Sequence, residues 1–431
     1  MPKHSRTRTR RWFRLDNAAL IFPAIMRRHW NNCFRLSVTL HEDVDPAALE
    51  QAVKALEPRF PTMFVRLRTG FFWYFLEQIR EPVRVQPEYA YPLTHMSRSE
   101  LRKSCLRVLY FRNRIAVEFF HSVTDGTGGL IFVKNLAARY LSIKYGLEIP
   151  AEDGVLDPGE APRPEELRDC FQECAGPRAA GGAEEKVLRL RGTPEPDRFR
   201  HLITGVVDTR ALLDAAHAQG VSVSAFLAAV MAEAVQRRQA AECPPRKWKP
   251  IKITVPVNLR QLYGKDTMRN FALTVNIGFD PRDGEYSLAE ICRQMTHQLA
   301  AEAVPQKMSA KIAANVNPQR SLALRLAPLP LKTLVMRLVY SARGESGGCL
   351  NVSNLGRASV PAVMEPYISR FEFIIGVQYT YPNNCSVLSY GGRTCINMIR
   401  SIRESELERL FFSRLVELGV PVEIESNERK D

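Results

Sequence analysis

The sequence predicts an α/β protein of two domains, and three observations lead there. The chain of 431 residues is long for one core and suits two domains of about 150 to 230 residues. Runs of β-branched and aromatic residues alternate with segments whose apolar side chains recur every three or four positions, the two patterns expected of half-buried strands and one-faced helices. Between them the composition shifts to Pro, Gly, Ala and charge, as in Ile149-Pro150-Ala151-Glu152-Asp153-Gly154 and Cys174-Ala175-Gly176-Pro177, which reads as a partly flexible crossover. The resulting division is a basic arm over 1–14, an N-terminal domain over 15–148, the crossover over 149–198 and a C-terminal domain over 199–431.

In the N-terminal domain, Phe34 to Leu40 reads as a strand and Asp45 to Leu56 as a helix opened by Pro46. Phe64 to Leu67 and Phe71 to Leu76 read as a hairpin around Thr69-Gly70. Arg114 to Phe120 has the β-branched and aromatic content of a strand. After it Leu130, Ile131, Val133, Leu136, Ala137, Tyr140 and Leu141 mark one buried helix face. In the C-terminal domain, Thr209 to Gln219 and Ser224 to Arg238 read as helices, with Ser222 or Ser224 as caps. Ile251 opens an alternating strand that finishes in Asn258-Leu259-Arg260; Thr394 to Ile399 reads as a strand and a last helix begins near Ser405. The sequence has no visible internal repeat.

The most informative run is Phe119-Phe120-His121-Ser122-Val123-Thr124-Asp125-Gly126, a His-x-x-x-Asp-Gly pattern at a strand-to-helix turn. An imidazole, with a pKa of roughly 6.5, can take a proton from a hydroxyl or amine at neutral pH. Gly128 and Gly129 leave room for a substrate to approach. Taken alone, the run also fits a plain helix cap by Asp125 or Thr127 beside a packed histidine.

Three further segments follow it in order: Ile251 to Arg260 with Asn270-Phe271-Ala272-Leu273-Thr274-Val275-Asn276; Asn351-Val352-Ser353-Asn354-Leu355-Gly356; and Leu388-Ser389-Tyr390-Gly391-Gly392-Arg393. The last reads on its own as a hairpin turn, and Ser353-Asn354 as a turn opener before Gly356. In this succession the motifs resemble the acyl-CoA-dependent acyltransferase superfamily that includes chloramphenicol acetyltransferase, nonribosomal peptide condensation domains and bacterial alcohol acetyltransferases. The likeness runs from about Leu15 to Val420 and is nearest the alcohol acetyltransferase and polyketide-associated branch, because Phe120 stands where condensation domains usually carry a second histidine.

The resemblance implies two similar α/β lobes, joined by a crossover, with a tunnel at their interface. It implies that His121 is the catalytic base and that Asp125 points away from substrate to pair with an arginine, for which Arg260 is the candidate. Gly126 matches the small residue after the aspartate. Ser353 and Asn354 match a Ser-Asn element that supplies hydrogens to the acyl carbonyl or the pantetheine arm.

Thioester transfer needs a base near neutrality, a donor for the tetrahedral oxyanion, and a site holding two substrates in line. It needs no metal and no tightly bound cofactor; acyl-CoA is a co-substrate. No Cys or Ser near His121 is placed as a nucleophile with its own orienting partner, so direct transfer in a ternary complex is expected, from acyl-CoA to a hydroxyl or amine of a small acceptor. The alternatives are an acyl group delivered by a carrier protein, as in condensation-type enzymes, and a degenerate member that only binds.

The 60 Lys and Arg against 46 Asp and Glu leave a net charge of +14. Part of it is the arm, with Lys3, Arg6, Arg8, Arg10, Arg11 and Arg14 around Trp12 and Phe13, read as a solvated tail. With no recognisable reading module, nucleic acid is not an expected partner; a basic rim suits the phosphates of coenzyme A. The apolar stretch Ala18 to Met26 contains Pro23 and is closed by Arg27 and Arg28, unlike a secretory signal. Ser321 to Tyr340 is too broken by charge and proline to span a bilayer; burial against a lobe or a place beside the tunnel is expected, with an amphipathic helix on a membrane as the alternative. Nine scattered cysteines without framework or zinc-like spacing suit a reducing cytoplasm and no metal site. Two lobes in one chain make a complete site without a second subunit.

Overall fold

The computed structural model describes residues 11–27, 30, 32–177, 185–341, 347–378 and 380–428. Two large sheets dominate. The N-terminal one has five strands in the order Ile368–Ile375, Cys33–Leu40, Arg114–Phe120, Leu106–Phe111, Val85–Pro87. The C-terminal one has seven, in the order Ala272–Phe279, Ile251–Asn258, Leu350–Arg357, Asn383–Tyr390, Arg393–Arg400, His201–Asp208, Val422–Ser426. A small three-stranded sheet joins Trp12–Arg14, Tyr74–Gln78 and Val65–Thr69.

Each large sheet is covered by a buried helix with clear local causes. Gly126–Tyr145 starts at Asp125, whose side chain accepts from the Gly128 amide, and stops at Gly146 in the left-handed region, φ 69°. It lays Phe132, Val133, Leu136, Tyr140 and Leu141, all fully buried, against the N-terminal sheet, each contributing about 1.5–3 kcal/mol. Val223–Glu242 starts at Ser222, whose hydroxyl accepts from Ala225 N, and its apolar side chains fill the core of the C-terminal lobe. Pro46–Leu56 begins after Asp45, which caps Ala47 and Ala48.

Several details differ from the sequence expectations. Ile368–Ile375 lies within 199–431 yet pairs antiparallel with Cys33–Leu40 of the N-terminal sheet. Polar side chains tie it back to its own lobe: Ser386 Oγ and Asn397 Nδ2 both donate to the Phe373 carbonyl, at 2.6 and 3.1 Å. The lobes are therefore bridged by a strand as well as by the crossover. The described crossover is anchored: Glu166 forms a buried bidentate pair with Arg59, and Asn135 holds Gly154 and Leu156.

The hairpin turns later than expected. Its strands are Val65–Thr69 and Tyr74–Gln78, so Phe71 and Phe72 sit in the turn, exposed. Of the arm, residues 1–10 lie outside the described residues; Trp12–Arg14 is not a solvated tail but a strand on Tyr74–Gln78. Ala18 to Met26 is built into the fold as two short helical turns. Ser321 to Tyr340 is only partly buried against a lobe: in Leu329–Val339 only Leu329 and Lys332 are buried, Thr333 and Met336 are half-buried, and Arg337 reaches the Ala24 carbonyl. Among the described residues no single helix is long and apolar enough to cross a membrane.

Candidate active site

His121 leaves its strand beside Asn32, whose carbonyl accepts the His121 amide at 2.7 Å. Its ring lies 4.8 Å from Phe22 and edge-on to Phe34 at 5.1 Å, centroid to centroid. The chain after it is pinned twice: Thr124 Oγ1 donates across the lobes to the Met268 carbonyl at 2.7 Å, and Ser122 Oγ to that of Ala19 in its own lobe at 3.3 Å.

Asn270, from the C-terminal lobe, sets the state of the imidazole. Its amide nitrogen donates to the His121 carbonyl at 2.9 Å and to Asp16 Oδ2 at 3.0 Å. Both of those partners are acceptors, so the amide orientation is determined by the network. Asn270 Oδ1 then faces His121 Nδ1 at 2.9 Å and must accept from it. The proton of the neutral ring is on Nδ1, and Nε2 keeps its lone pair with no hydrogen-bond partner among the described residues. Burial pushes the pKa of this histidine below its ordinary 6.5, against the opposing pull of the Asp125 charge and the Asn270 hydrogen bond. The ring is neutral at neutral pH.

Asp125 is a clamp behind the turn. Oδ1 accepts from Gly128 N at 3.1 Å, and Oδ2 from Phe271 N at 2.7 Å and Arg260 Nη1 at 2.8 Å. Burial alone would raise its pKa; the Arg260 guanidinium and the two amides outweigh it and hold the carboxyl below its ordinary 3.8. Arg260 places Nε on the Thr267 carbonyl at 2.7 Å and Nη2 on that of Arg269, and Nη1 also reaches Asn258 Oδ1 at 3.5 Å. Gly126 faces the other lobe so closely that a Cβ there would lie 2.8 Å from Leu355 Cδ2.

A cavity of about 510 Å³ opens between the lobes at this point. His121 and Gly126 line it from one side, and Asn258, Ser353, Asn354 and Leu355 from the other. Ser353 and Asn354 belong to the strand Leu350–Arg357 rather than to a turn. Asn354 donates to Ser224 Oγ at 3.1 Å and accepts from Gly356 N at 2.8 Å, which fixes its amide. The Ser353 hydroxyl has no hydrogen-bond partner among the described residues. Arg260 stands behind the wall.

A larger cavity, about 960 Å³, lies against Trp12, Trp73, Asp169, Arg269 and Arg325 and does not reach His121. Leu20 faces it while Ala18 and Phe22 face the histidine, so residues 18–22 are the partition between the two spaces. Arg269 is 3.8 Å from the fully buried Asp16, whose pKa burial raises above 3.8 against that cation. Burial and the Asp16 charge likewise push Asp169 up to about 6.

Sequence reasoning placed His121, Asp125, Gly126, Arg260, Ser353 and Asn354, and the fold gathers all of them at one interlobe site. It missed Asn270 and Asp16. The first had a signal, a polar residue opening the segment Asn270 to Asn276; the second, beside the basic arm, had none.

No family model matches the chain, and no curated protein matches it by sequence. Solved structures do. Polyketide synthase associated protein 5 from Mycobacterium tuberculosis is 14% identical, with 94% of this chain and 96% of that one covered and a TM-score of 0.55. Trichothecene 15-O-acetyltransferase from Fusarium sporotrichioides is 10% identical over 95% and 94%, TM-score 0.60. Another F. sporotrichioides protein, complexed with coenzyme A and T-2, is 11% identical over 93% and 97%, TM-score 0.63. The fold is the two-lobed chloramphenicol acetyltransferase-like fold.

Proposed function

We propose that this protein is an acyltransferase that moves an acyl group from acyl-CoA to a hydroxyl, or an amine, of a small acceptor, with His121 as general base. The observation that carries the proposal is the imidazole in the interlobe cavity, with Nδ1 occupied by Asn270 and Nε2 without a partner among the described residues. Nε2 takes the proton of the acceptor hydroxyl as its oxygen attacks the thioester carbonyl. The tetrahedral intermediate collapses with loss of the coenzyme A thiolate, which recovers that proton from the imidazolium. The products are an ester and free thiol, and no covalent enzyme intermediate forms.

The Ser353 hydroxyl and the Asn354 amide are the candidates in the facing wall for oxyanion or pantetheine contacts. One such donor contributes about 10²–10³-fold. Asp125 and Arg260 position the turn, and Gly126 keeps the passage beside Leu355 open. Acyl-CoA is a co-substrate, and no resident cofactor is part of the mechanism. The fold is shared with an acetyltransferase and with a protein complexed with coenzyme A, which supports this class of donor. A cytoplasmic setting belongs to the same proposal; the nine cysteines, all unpaired, suit a reducing compartment.

The test is thiol release from a panel of acyl-CoAs with mixed alcohols and amines, run beside His121→Ala. Turnover that is lost in the variant is the expected result; turnover undiminished in it removes the proposed base. Transfer from an acyl-carrier protein but not from free acyl-CoA would reassign the donor and keep the base.

A further inference from the structure

We propose that the outward face of helix Leu329–Val339, with the neighbouring Leu322–Leu326 segment and the Phe71-Phe72 turn, docks on the surface of an anionic lipid bilayer. The helix is inverted relative to a surface helix of a soluble domain, which hides its leucines and shows its charges. Leu331, Leu334, Val335, Leu338 and Val339 are each between 44% and 62% exposed. Their spacing of three and four residues makes one continuous apolar stripe. Lys332 instead points inward, 2% exposed.

That lysine assembles the surface. Its Nζ donates to the carbonyls of Phe72 at 3.0 Å and Arg325 at 3.2 Å and lies 3.5 Å from the centre of the Trp73 ring. Leu329 N adds a bond to the Phe71 carbonyl at 2.9 Å. Three segments are thereby held side by side, and the other two also show apolar groups: Leu322 is 68% exposed, Leu326 61% and Phe71 71%.

Charge selects the partner. From Ala303 to Ser341 the sequence has no Asp or Glu and six Lys or Arg, of which Lys307 and Lys311 pair with Glu302 and Lys332 is buried. Arg325 and Arg337 are exposed beside the apolar face. An apolar stripe edged by cations is the composition that lies in the headgroup region of an anionic leaflet. At 11 residues the helix is roughly 16 Å long, too short to span. A protein partner is less well matched, because protein interfaces concentrate their binding energy in Trp, Tyr and Arg, whereas the helix stripe is Leu and Val and its two arginines stand at the edge.

The surface is continuous with both cavities. Arg325 lines the larger one, and Tyr340, at the end of the helix, stacks on Trp30 at 5.7 Å, which lines the His121 cavity. Bilayer docking here would bring membrane-borne molecules to the cavity mouths. The proposal stands apart from acyl transfer, since its readout is binding.

The test is co-sedimentation of the full chain with vesicles of equal phosphatidylglycerol and phosphatidylcholine, and with phosphatidylcholine alone. Preferential binding to the anionic vesicles is expected, weakened by salt and by Arg325→Glu with Arg337→Glu. Leu334→Asp with Leu338→Asp should weaken it by about tenfold or more while circular dichroism and melting stay those of the parent. If that double variant misfolds, Leu338→Asp alone gives the same reading at a smaller loss. No binding to either vesicle, or equal binding by parent and folded variant, overturns the proposal. So does a dimer, or a complex with an acidic carrier protein, that the same substitutions break while vesicles are ignored.

Discussion

The turn at 121–125 and the helix Leu329–Val339 handle charge in opposite ways. At the turn, a carboxylate and a guanidinium are buried together, and all three amide and guanidinium donors aimed at Asp125 come from fixed positions on two lobes. On the helix, the ammonium of Lys332 is buried on carbonyls and a ring while the aliphatic side chains face out. The first arrangement costs desolvation and recovers it through complete pairing; its result is a rigid mount for one imidazole. The second leaves apolar area in water, which is unfavourable in a free monomer and favourable against another apolar phase. Rigidity and completeness mark the site, and exposed apolar area marks the docking face.

Substitutions can break this contrast. His121→Ala should lower kcat/KM by roughly 10²- to 10⁴-fold with a melting temperature near the parent's, measured by thiol release and calorimetry. Asp125→Ala and Arg260→Ala should instead lose stability and activity together, by about 3–5 kcal/mol of unfolding free energy in each case, because each strands a buried charge. Denaturant melts at the parent's midpoint would refute the clamp.

The state of the imidazole sharpens the same contrast. Asn270→Ala removes the acceptor for Nδ1–H and leaves Asp16 short of a donor, so kcat/KM should fall about fivefold to 150-fold, from a loss of about 1–3 kcal/mol. In the parent, kcat/KM should be flat through neutral pH and fall only as pH drops through a midpoint below 6.5, the ordinary value from which burial lowers His121. A midpoint above 6.5 would contradict the partly buried neutral base. Asp125, held below 3.8, contributes stability that is complete above that pH and is lost as acid titrates it through its lowered folded value. The smallest effect belongs to the helix. Leu334→Gln should shift stability by less than about 0.5 kcal/mol and leave turnover with soluble substrates unchanged.

Much of the site is local in the sequence and was legible there. The strand Arg114–Phe120, the cap at Asp125 and the helix face from Leu130 to Leu141 follow from residue type and spacing over a few turns. Their chemistry follows from one histidine at a strand end. The partnership of Arg260 with Asp125 entered only through family resemblance, because nothing within a few residues of either names the other.

What the sequence by itself determined was the alternation of strands and helices and the His121 turn, since side-chain periodicity and capping act over neighbouring residues; the polar residues of the facing wall, Ser353 and Asn354, entered through family resemblance alone. What only the tertiary structure decided was the tautomer of His121, set by an asparagine 149 residues away, the transfer of Ile368–Ile375 to the N-terminal sheet, and the outward turn of the leucines in Leu329–Val339. An apolar stripe written in a sequence says that a face exists; whether protein covers it depends on the packing of segments hundreds of residues apart.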